Sequence, residues 1–277
     1  MTTVADALAA ARAKLPASEA RLLLGHVMGR PAAWLIVHDD QVLDEDQLLA
    51  FASLAARRAG GEPVAYLVGQ REFFGRRFEV ASGVLIPRPE TELLVDIALR
   101  QIVGAGTAAT GAARILDLGT GSGCLAITLA LEMPKAQVTA LDASAAALDV
   151  ARKNAQRLGA QLRLLQSDWY SALAGERFDL IVANPPYIAD ADPHLAAGDL
   201  RHEPRAALAS GSDGLDAIRR ILADAAQHLT PNGQLWLEHG YDQAVAVREL
   251  FAAAGFIEIA QVPDLAGILR VTGGSLG

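Results

Sequence analysis

The chain has 277 residues, 52% of them apolar and 20% charged, with a formal net charge of -8 and an isoelectric point near 5.2. That is ample apolar material for two packed domains and excludes a disordered chain. An acidic total supplies no overall basic surface against nucleic-acid phosphates, and a single cysteine, Cys124, excludes an intramolecular disulfide and a cysteine-rich metal site.

The N-terminal stretch lacks the basic start and apolar core of a signal peptide, and no apolar run reaches the roughly 18 residues that span a bilayer. A cytoplasmic chain with no membrane association is expected. From Thr2 to about Gly69, leucines at spacings near three and four predict a bundle of four or five short helices. Pro16-Ala17-Ser18 reads as a stop and a cap, Gly29-Arg30-Pro31 as a break, and Asp44 as a cap. Arg57, Arg58, Arg71, Arg76 and Arg77 read as a solvated face.

Residues 71–86, where Phe73, Phe74, Phe78, Val80, Val84 and Leu85 alternate with polar residues, predict a β-hairpin linker with Gly83 as its turn residue. The domains expected are therefore 1–70, helical, then the linker 71–86, then 87–277. Pro87-Arg88-Pro89 ends the strand and Glu90-Thr91-Glu92 opens a helix to about Val103, its acids matching the positive end of the helix dipole. A small-residue loop is expected from Gly104 to Ala112.

After Ala113, strands at 114–118, 137–141, 162–165 and 178–182 alternate with helices from Gly123 and Ala145, which predicts an α/β fold with a parallel sheet covered on both faces. A helix from Gly214, a strand at 234–238, a helix from Gln243, and strands at 257–262 and 268–272 follow. The link at 263–267 is too short for a parallel crossover, so the last two strands are expected as an antiparallel hairpin.

Asp117-Leu-Gly119-Thr120-Gly121-Ser122-Gly123 stands where the first of these strands turns into a helix, and its glycines let a ligand approach the backbone. A nucleoside-bearing cofactor is expected there. Asp142, ending the second strand, is placed to accept from ribose hydroxyls, or else to cap the helix ahead of Ser144. That position serves a dinucleotide equally well, although Cys124 departs from the usual glycine of that motif. Asp168 and Trp169, after the third strand, suit an adenine, with a polar capping loop as the alternative.

The fourth strand ends in Asn184-Pro185-Pro186-Tyr187, at the carboxyl edge where open α/β sheets bind ligands. A planar nitrogen reacts only when acceptors hold its protons and leave its lone pair aimed at the electrophile. The Asn184 side-chain carbonyl and the Pro185 carbonyl are such acceptors, two prolines keep the segment rigid, and Tyr187 offers a flat face. Orientation and desolvation then supply the catalysis, without a strong general base.

Taken together, the motifs make the chain resemble the protein-glutamine N5-methyltransferases that modify the Gly-Gly-Gln motif of class 1 peptide chain release factors. The resemblance rests on the segment from Glu62 to Phe73, Ile86-Pro-Arg-Pro-Glu-Thr-Glu92, the turn from Asp117 to Gly123, Gln166-Ser-Asp-Trp169, Asn184-Pro-Pro-Tyr-Ile188, Asp192-Pro-His-Leu195, Arg201-His-Glu-Pro204 and Leu237-Glu-His-Gly240. It implies a Rossmann-like class I methyltransferase sheet of seven strands behind a small all-α domain. S-adenosyl-L-methionine is the implied cofactor, S-adenosyl-L-homocysteine its product and release factors the partners, in a monomer without stable nucleic-acid binding. Gly119, Thr120, Gly121, Ser122, Gly123, Asp142, Asp168, Trp169 and Asn184 are the implied cofactor contacts.

By the same resemblance, Asn184, Pro185 and Tyr187 are catalytic, and Asn184, Pro185, Pro186, Tyr187, Arg88 and Glu90 hold the substrate. The Asn-Pro-Pro-Tyr box alone is also compatible with a ribosomal-protein glutamine or an exocyclic amino group of a nucleic-acid base as target. No metal is expected, since His194, His202 and His239 have no ligand cluster in sequence. The long loop carrying Asp190, Asp192 and Asp199 reads as a lid, and Glu203 and Arg205 read either as contacts to an incoming protein or as a pair with each other.

Overall fold

Leucine spacings of three and four build α1 (Val4–Ala11), α2 (Ala17–Met28), α3 (Ala32–Val37), α4 (Glu45–Ala59) and α5 (Val64–Val68) in the computed structural model, which describes residues 1–104 and 112–276. Capping chemistry fixes where two of them start. Thr3 Oγ1 accepts from the Asp6 N–H at 3.2 Å while the Asp6 carboxylate accepts from the Thr3 N–H at 2.9 Å, and Asp44 forms the same reciprocal box with Gln47. The expected Pro16-Ala17-Ser18 cap differs: Pro16 takes the N-cap position with no side-chain bond and Ser18 lies inside α2, because the fixed φ of proline already sets the entry angle. Gly29, at φ 63°, ends α2 in the left-handed conformation.

These helices form a unit of Met1–Gln70 together with Ala197–His202, with Leu23, Leu24, Leu35 and Phe51 in its core. The added segment is held by arginine. Arg58 bonds Glu19 and Asp199, each at 2.7 Å, and Arg201 donates to the Gly60 carbonyl at 2.8 Å. Arg57 pairs with Glu62 at 2.5 Å, so the part of the arginine cluster on α4 is engaged in ion pairs.

The second unit, Arg71–Ala196 with Glu203–Gly277, starts in the hairpin of β1 (Gln70–Phe73) and β2 (Arg76–Glu79). Its turn is Phe74-Gly75, at φ 49° and 70°, the two positive values that a twisted two-residue link requires. Gly83, expected as the hairpin turn, instead occupies a separate turn at φ 107°. The Glu92 carboxylate accepts from the Phe74 N–H at 2.8 Å and so secures the non-glycine residue of the hairpin turn. A single 3-10 turn over Pro89–Thr91 precedes α6 (Glu92–Gly104), a slightly later helix start than expected. Of the loop expected at 104–112, residues 105–111 lie outside the described residues.

The alternation that follows is β3 (Arg114–Leu118), α7 (Cys124–Glu132), β4 (Gln137–Asp142), α8 (Ala145–Leu158), β5 (Arg163–Gln166), β6 (Phe178–Ala183), α9 (Asp216–His228), β7 (Leu229–Glu238), α10 (Ala244–Ala253), β8 (Phe256–Pro263) and β9 (Leu269–Leu276). The sheet order is β5-β4-β3-β6-β7-β9-β8, and β9 runs antiparallel to both its neighbours. β7 begins five residues before the expected Gln234, a start that Pro231-Asn232-Gly233 disguises as a turn. Alternating side chains feed two core layers: Ile115 and Leu180 pack with Leu94 of α6 and Leu125 of α7, whereas Leu116 and Ile181 pack with Ile218 of α9 and Phe251 of α10.

Strand register sets the site. Leu118 pairs with Leu141 on one side and Ala183 on the other, Leu141 pairs with Leu165, and Ala183 with Leu237. The next residues, Gln166, Asp142, Gly119, Asn184 and Glu238, therefore form one row across the carboxyl ends of five parallel strands, where such sheets bind ligands.

Candidate active site

At the centre of this row the chain turns back over β4. The Gly119 and Thr120 N–H groups donate to the Leu141 carbonyl at 2.9 and 2.8 Å, and Gly119, Gly121 and Gly123 all sit at positive φ. A Cβ on Gly123 would lie 2.7 Å from Ile127 Cδ1 and 3.1 Å from Ala151 Cβ, so this glycine also lets α7 and α8 pack closely. Thr120 and Ser122 are buried. The Thr120 hydroxyl donates to Asp117 at 2.7 Å, and burial pushes the Asp117 carboxyl up to about 7. Neither Thr120 nor Ser122 lines the cavity beside the turn.

Asp142 accepts from the Gly121 N–H and the Ser144 N–H, both at 2.8 Å. Each oxygen retains further acceptor capacity, so the carboxylate holds the turn and the helix start while lining the cavity. Burial raises its pKa and the two N–H donors oppose the rise. Trp169 sits at φ 50°, a strained value for an aromatic residue. Ser167 secures it, donating to the Trp169 carbonyl at 2.6 Å and accepting from the Ala172 N–H at 3.0 Å. Asp168 pairs with Arg220 at 2.8 Å in an exposed position.

Gly119, Gly121, Asp142, Trp169, Asn184 and Pro186 line a cavity of about 490 Å³, a size suited to a nucleoside-bearing ligand. Asp168 lines it too, as do Ser210, Arg220 and Leu85, none of the last three expected at the site. Trp169 lies over the glycine turn: a Cβ on Gly119 would be 3.9 Å from its ring. An open glycine cradle, a carboxylate with spare lone pairs and an aromatic ring together fit a ribose-bearing adenine cofactor.

On the other side of β3, Asn184 Nδ2 donates to Thr91 Oγ1 at 2.8 Å and Thr91 Oγ1 donates to Glu238 Oε2 at 2.7 Å. The Tyr187 hydroxyl donates to Glu238 Oε1 at 3.2 Å. Thr91 and Glu238 are 3% and 1% exposed. Burial pushes Glu238 up to about 7, against the Thr91 and Tyr187 bonds, and the Tyr187 phenol is raised by burial and by the neighbouring carboxylate. Pro185 is buried. The Tyr187 carbonyl is fixed by Gln243 Nε2 at 2.9 Å.

Arg88 turns to Glu203, whose side chain is fully buried and also accepts from the Ile86 N–H at 2.9 Å. Arg88 and Glu90 lie outside the cavity lining. Of the two alternatives for Glu203 and Arg205, mutual pairing is not what occurs: Arg205 donates to the Asp190 carbonyl at 2.8 Å. His194 pairs with Asp192 at 2.7 Å, and the buried His239 bonds to Thr272 and Gly240. Among the described residues no group of three or more His, Cys, Asp or Glu comes together to hold a metal, and no helix is long and apolar enough to cross a membrane.

Thr91, Glu203 and Glu238 carry much of this construction yet were not chosen as site residues from sequence. For Glu238 a signal existed, a carboxylate ending the apolar run Leu235-Trp236-Leu237.

The chain is similar to known proteins in both its parts. Residues 1–69 match the PrmC N-terminal domain model and residues 95–213 the methyltransferase small domain model. The chain is 53% identical over its full length, and that of the relative, to a release factor glutamine methyltransferase of Bordetella pertussis. It is 54% identical to the protein of that description in Burkholderia pseudomallei, over 95% of this chain and 93% of the relative. Among solved structures, a Pyrococcus furiosus methyltransferase shares the fold at a TM-score of 0.55 and 19% identity, covering 82% of this chain and 99% of its own.

Proposed function

The chain belongs to the release factor glutamine methyltransferase family, and on that premise we propose that it methylates the side-chain amide nitrogen of the glutamine in the Gly-Gly-Gln motif of class 1 peptide chain release factors. When bound, S-adenosyl-L-methionine supplies a methyl group on positively charged sulfur and leaves as S-adenosyl-L-homocysteine. The observation that carries the reading is the row of strand ends, which sets Asp142 and Asn184 on either side of Gly119, both lining one cavity.

In this reading the backbone from Gly119 to Gly123 cradles the donor, Asp142 accepts from its ribose hydroxyls, and Asp168 and Trp169 meet its adenine. The Asn184 and Pro185 carbonyls accept the two protons of the target amide, which leaves the nitrogen lone pair facing the methyl group. Pro186 and Tyr187 wall the flat target. The amide nitrogen is a weak nucleophile because its lone pair is delocalised, so alignment is the chief contribution of these residues. The proton departs after transfer, and Glu238, buried with both oxygens engaged, takes no part as a base.

The helical domain, 1–70, docks the release factor, and the hairpin segment, 71–86, links it to the catalytic domain, 87–277. Arg88, held by Glu203, and Glu90 shape the approach to the site for the substrate. The protein works as a cytoplasmic monomer without stable nucleic-acid binding.

The test is transfer of labelled methyl from S-adenosyl-L-methionine to purified release factor, to its Gln→Ala variant, to ribosomal proteins and to DNA. Label on the intact factor alone supports the reading. Label on the Gln→Ala variant, on ribosomal protein or on DNA in its place overturns the substrate, and absence of label everywhere overturns the activity.

A further inference from the structure

A carboxamide has two ends of nearly equal size, one an acceptor and one a donor, and packing alone does not choose between them. For Asn184 the choice is decisive. An NH2 group facing the target nitrogen would set donor against donor, whereas the carbonyl holds the amide proton. Something other than shape must set the direction.

We infer that Thr91 and Glu238 are positioning residues that fix which end of Asn184 faces the target, a role that rests on the amide methylation proposed above. The two oxygens of Glu238 receive the Thr91 and Tyr187 hydroxyl protons. Once ionised, above its raised pKa of about 7, this carboxylate accepts only. Thr91 has one hydroxyl proton, and Glu238 takes it at 2.7 Å. The remaining lone pairs of Thr91 Oγ1 face Asn184 at 2.8 Å, so Asn184 must present its NH2 inward and its carbonyl to the opposite side. A flipped Asn184 would set its carbonyl oxygen against the Thr91 lone pairs, in a place where Thr91 is 3% exposed and water gives little relief.

The arrangement depends on the fold rather than on neighbours in sequence. Thr91 comes from the 3-10 turn ahead of α6, Asn184 follows β6, and Glu238 is the last residue of β7, one step beyond the Leu237–Ala183 pair. The Ile-Pro-Arg-Pro-Glu-Thr-Glu segment thus delivers its threonine to the Asn-Pro-Pro-Tyr motif.

The test compares wild type, Thr91→Val, Thr91→Ser, Asn184→Ala and the Thr91→Val/Asn184→Ala pair in the full chain. Steady-state and single-turnover transfer to release factor, calorimetric affinity for S-adenosyl-L-methionine, and the 1H–15N signals of the Asn184 side chain are read for each. Valine keeps the shape of threonine and removes the hydroxyl, so kcat should fall by up to about 100-fold with KM and cofactor affinity within roughly twofold of wild type. Serine should restore the rate.

Because Thr91 acts through Asn184, the double variant should transfer no more slowly than Asn184→Ala alone. One Asn184 Nδ2 proton should be downfield and protected from exchange in wild type and in Thr91→Ser, and lose both properties in Thr91→Val. Wild-type turnover in Thr91→Val, a further loss in the double variant, or an unaltered Asn184 signal overturns the positioning role while leaving the methyltransferase reading intact. A wild-type protein that modifies no release factor overturns both.

Discussion

On the Asp142 side of the crevice, the group that faces the cavity is fixed by backbone N–H donors 21 and 2 residues away in the chain. On the Asn184 side, fixing runs through side chains, across separations of 93 and 147 residues. The first half needs glycines, a strand end and a helix start, which local sequence supplies. The second half exists only once the sheet has put β6 beside β7 and α6 against both. Binding a common cofactor is thus delegated to local structure, and aiming a particular nitrogen to the assembled core.

If the halves are separate in function, breaking each should leave a different kinetic signature. The largest effect is expected from Asn184→Ala: transfer should drop on the order of 100-fold or more while calorimetric cofactor affinity stays within a few-fold. An equal loss in both would merge the halves. Asp142→Ala should do the reverse. Loss of a charged acceptor for ribose hydroxyls should weaken cofactor binding by about 10- to 100-fold, with much of kcat recovered at saturating cofactor.

Glu203→Ala sharpens the comparison from the stability side. It leaves Arg88 and the Ile86 N–H without their buried acceptor and should lower unfolding free energy by about 2–3 kcal/mol in urea titration. Cofactor affinity should change little, since Glu203 does not line the cavity.

A further effect is expected on the pH dependence of stability. Asp117 has a folded-state pKa of about 7, raised from 3.8 chiefly by burial. Between those values the folded chain holds the proton more tightly than the unfolded one. Its contribution is therefore fully favourable below pH 3.8 and is lost as pH rises through about 7. Asp117→Asn should flatten the fall in stability over that window; a curve with unchanged slope would mean that Asp117 titrates normally in the fold.

The pattern of what sequence revealed follows the same division. The Asp44 cap and the Gly29 helix end were legible because each is made within a few residues, and the glycine turn and Asp142 because each marks the end of its own strand. The hairpin turn was misplaced because Gly75 and Gly83 both announce a turn, and Phe74, which shares the true one at positive φ, reads by its aromatic side chain as strand. The early part of β7 was hidden behind Pro231-Asn232-Gly233. Thr91, Glu203 and Glu238 could be seen as residues but not as partners, because their pairing depends on strand order and on the register that aligns Ala183 with Leu237.

The six residues Ala197–His202 that pack with the N-terminal helices bear on how such proteins can be dissected or recombined. A fragment ending at residue 70 would keep Glu19 for Arg58 but lose Asp199, and would strip the Gly60 carbonyl of its arginine donor. Chimeras that exchange the helical part between relatives must therefore exchange two stretches of sequence at once. Moving the first alone parts Arg58 from Asp199 and the Gly60 carbonyl from Arg201, wherever near residue 70 the junction is set.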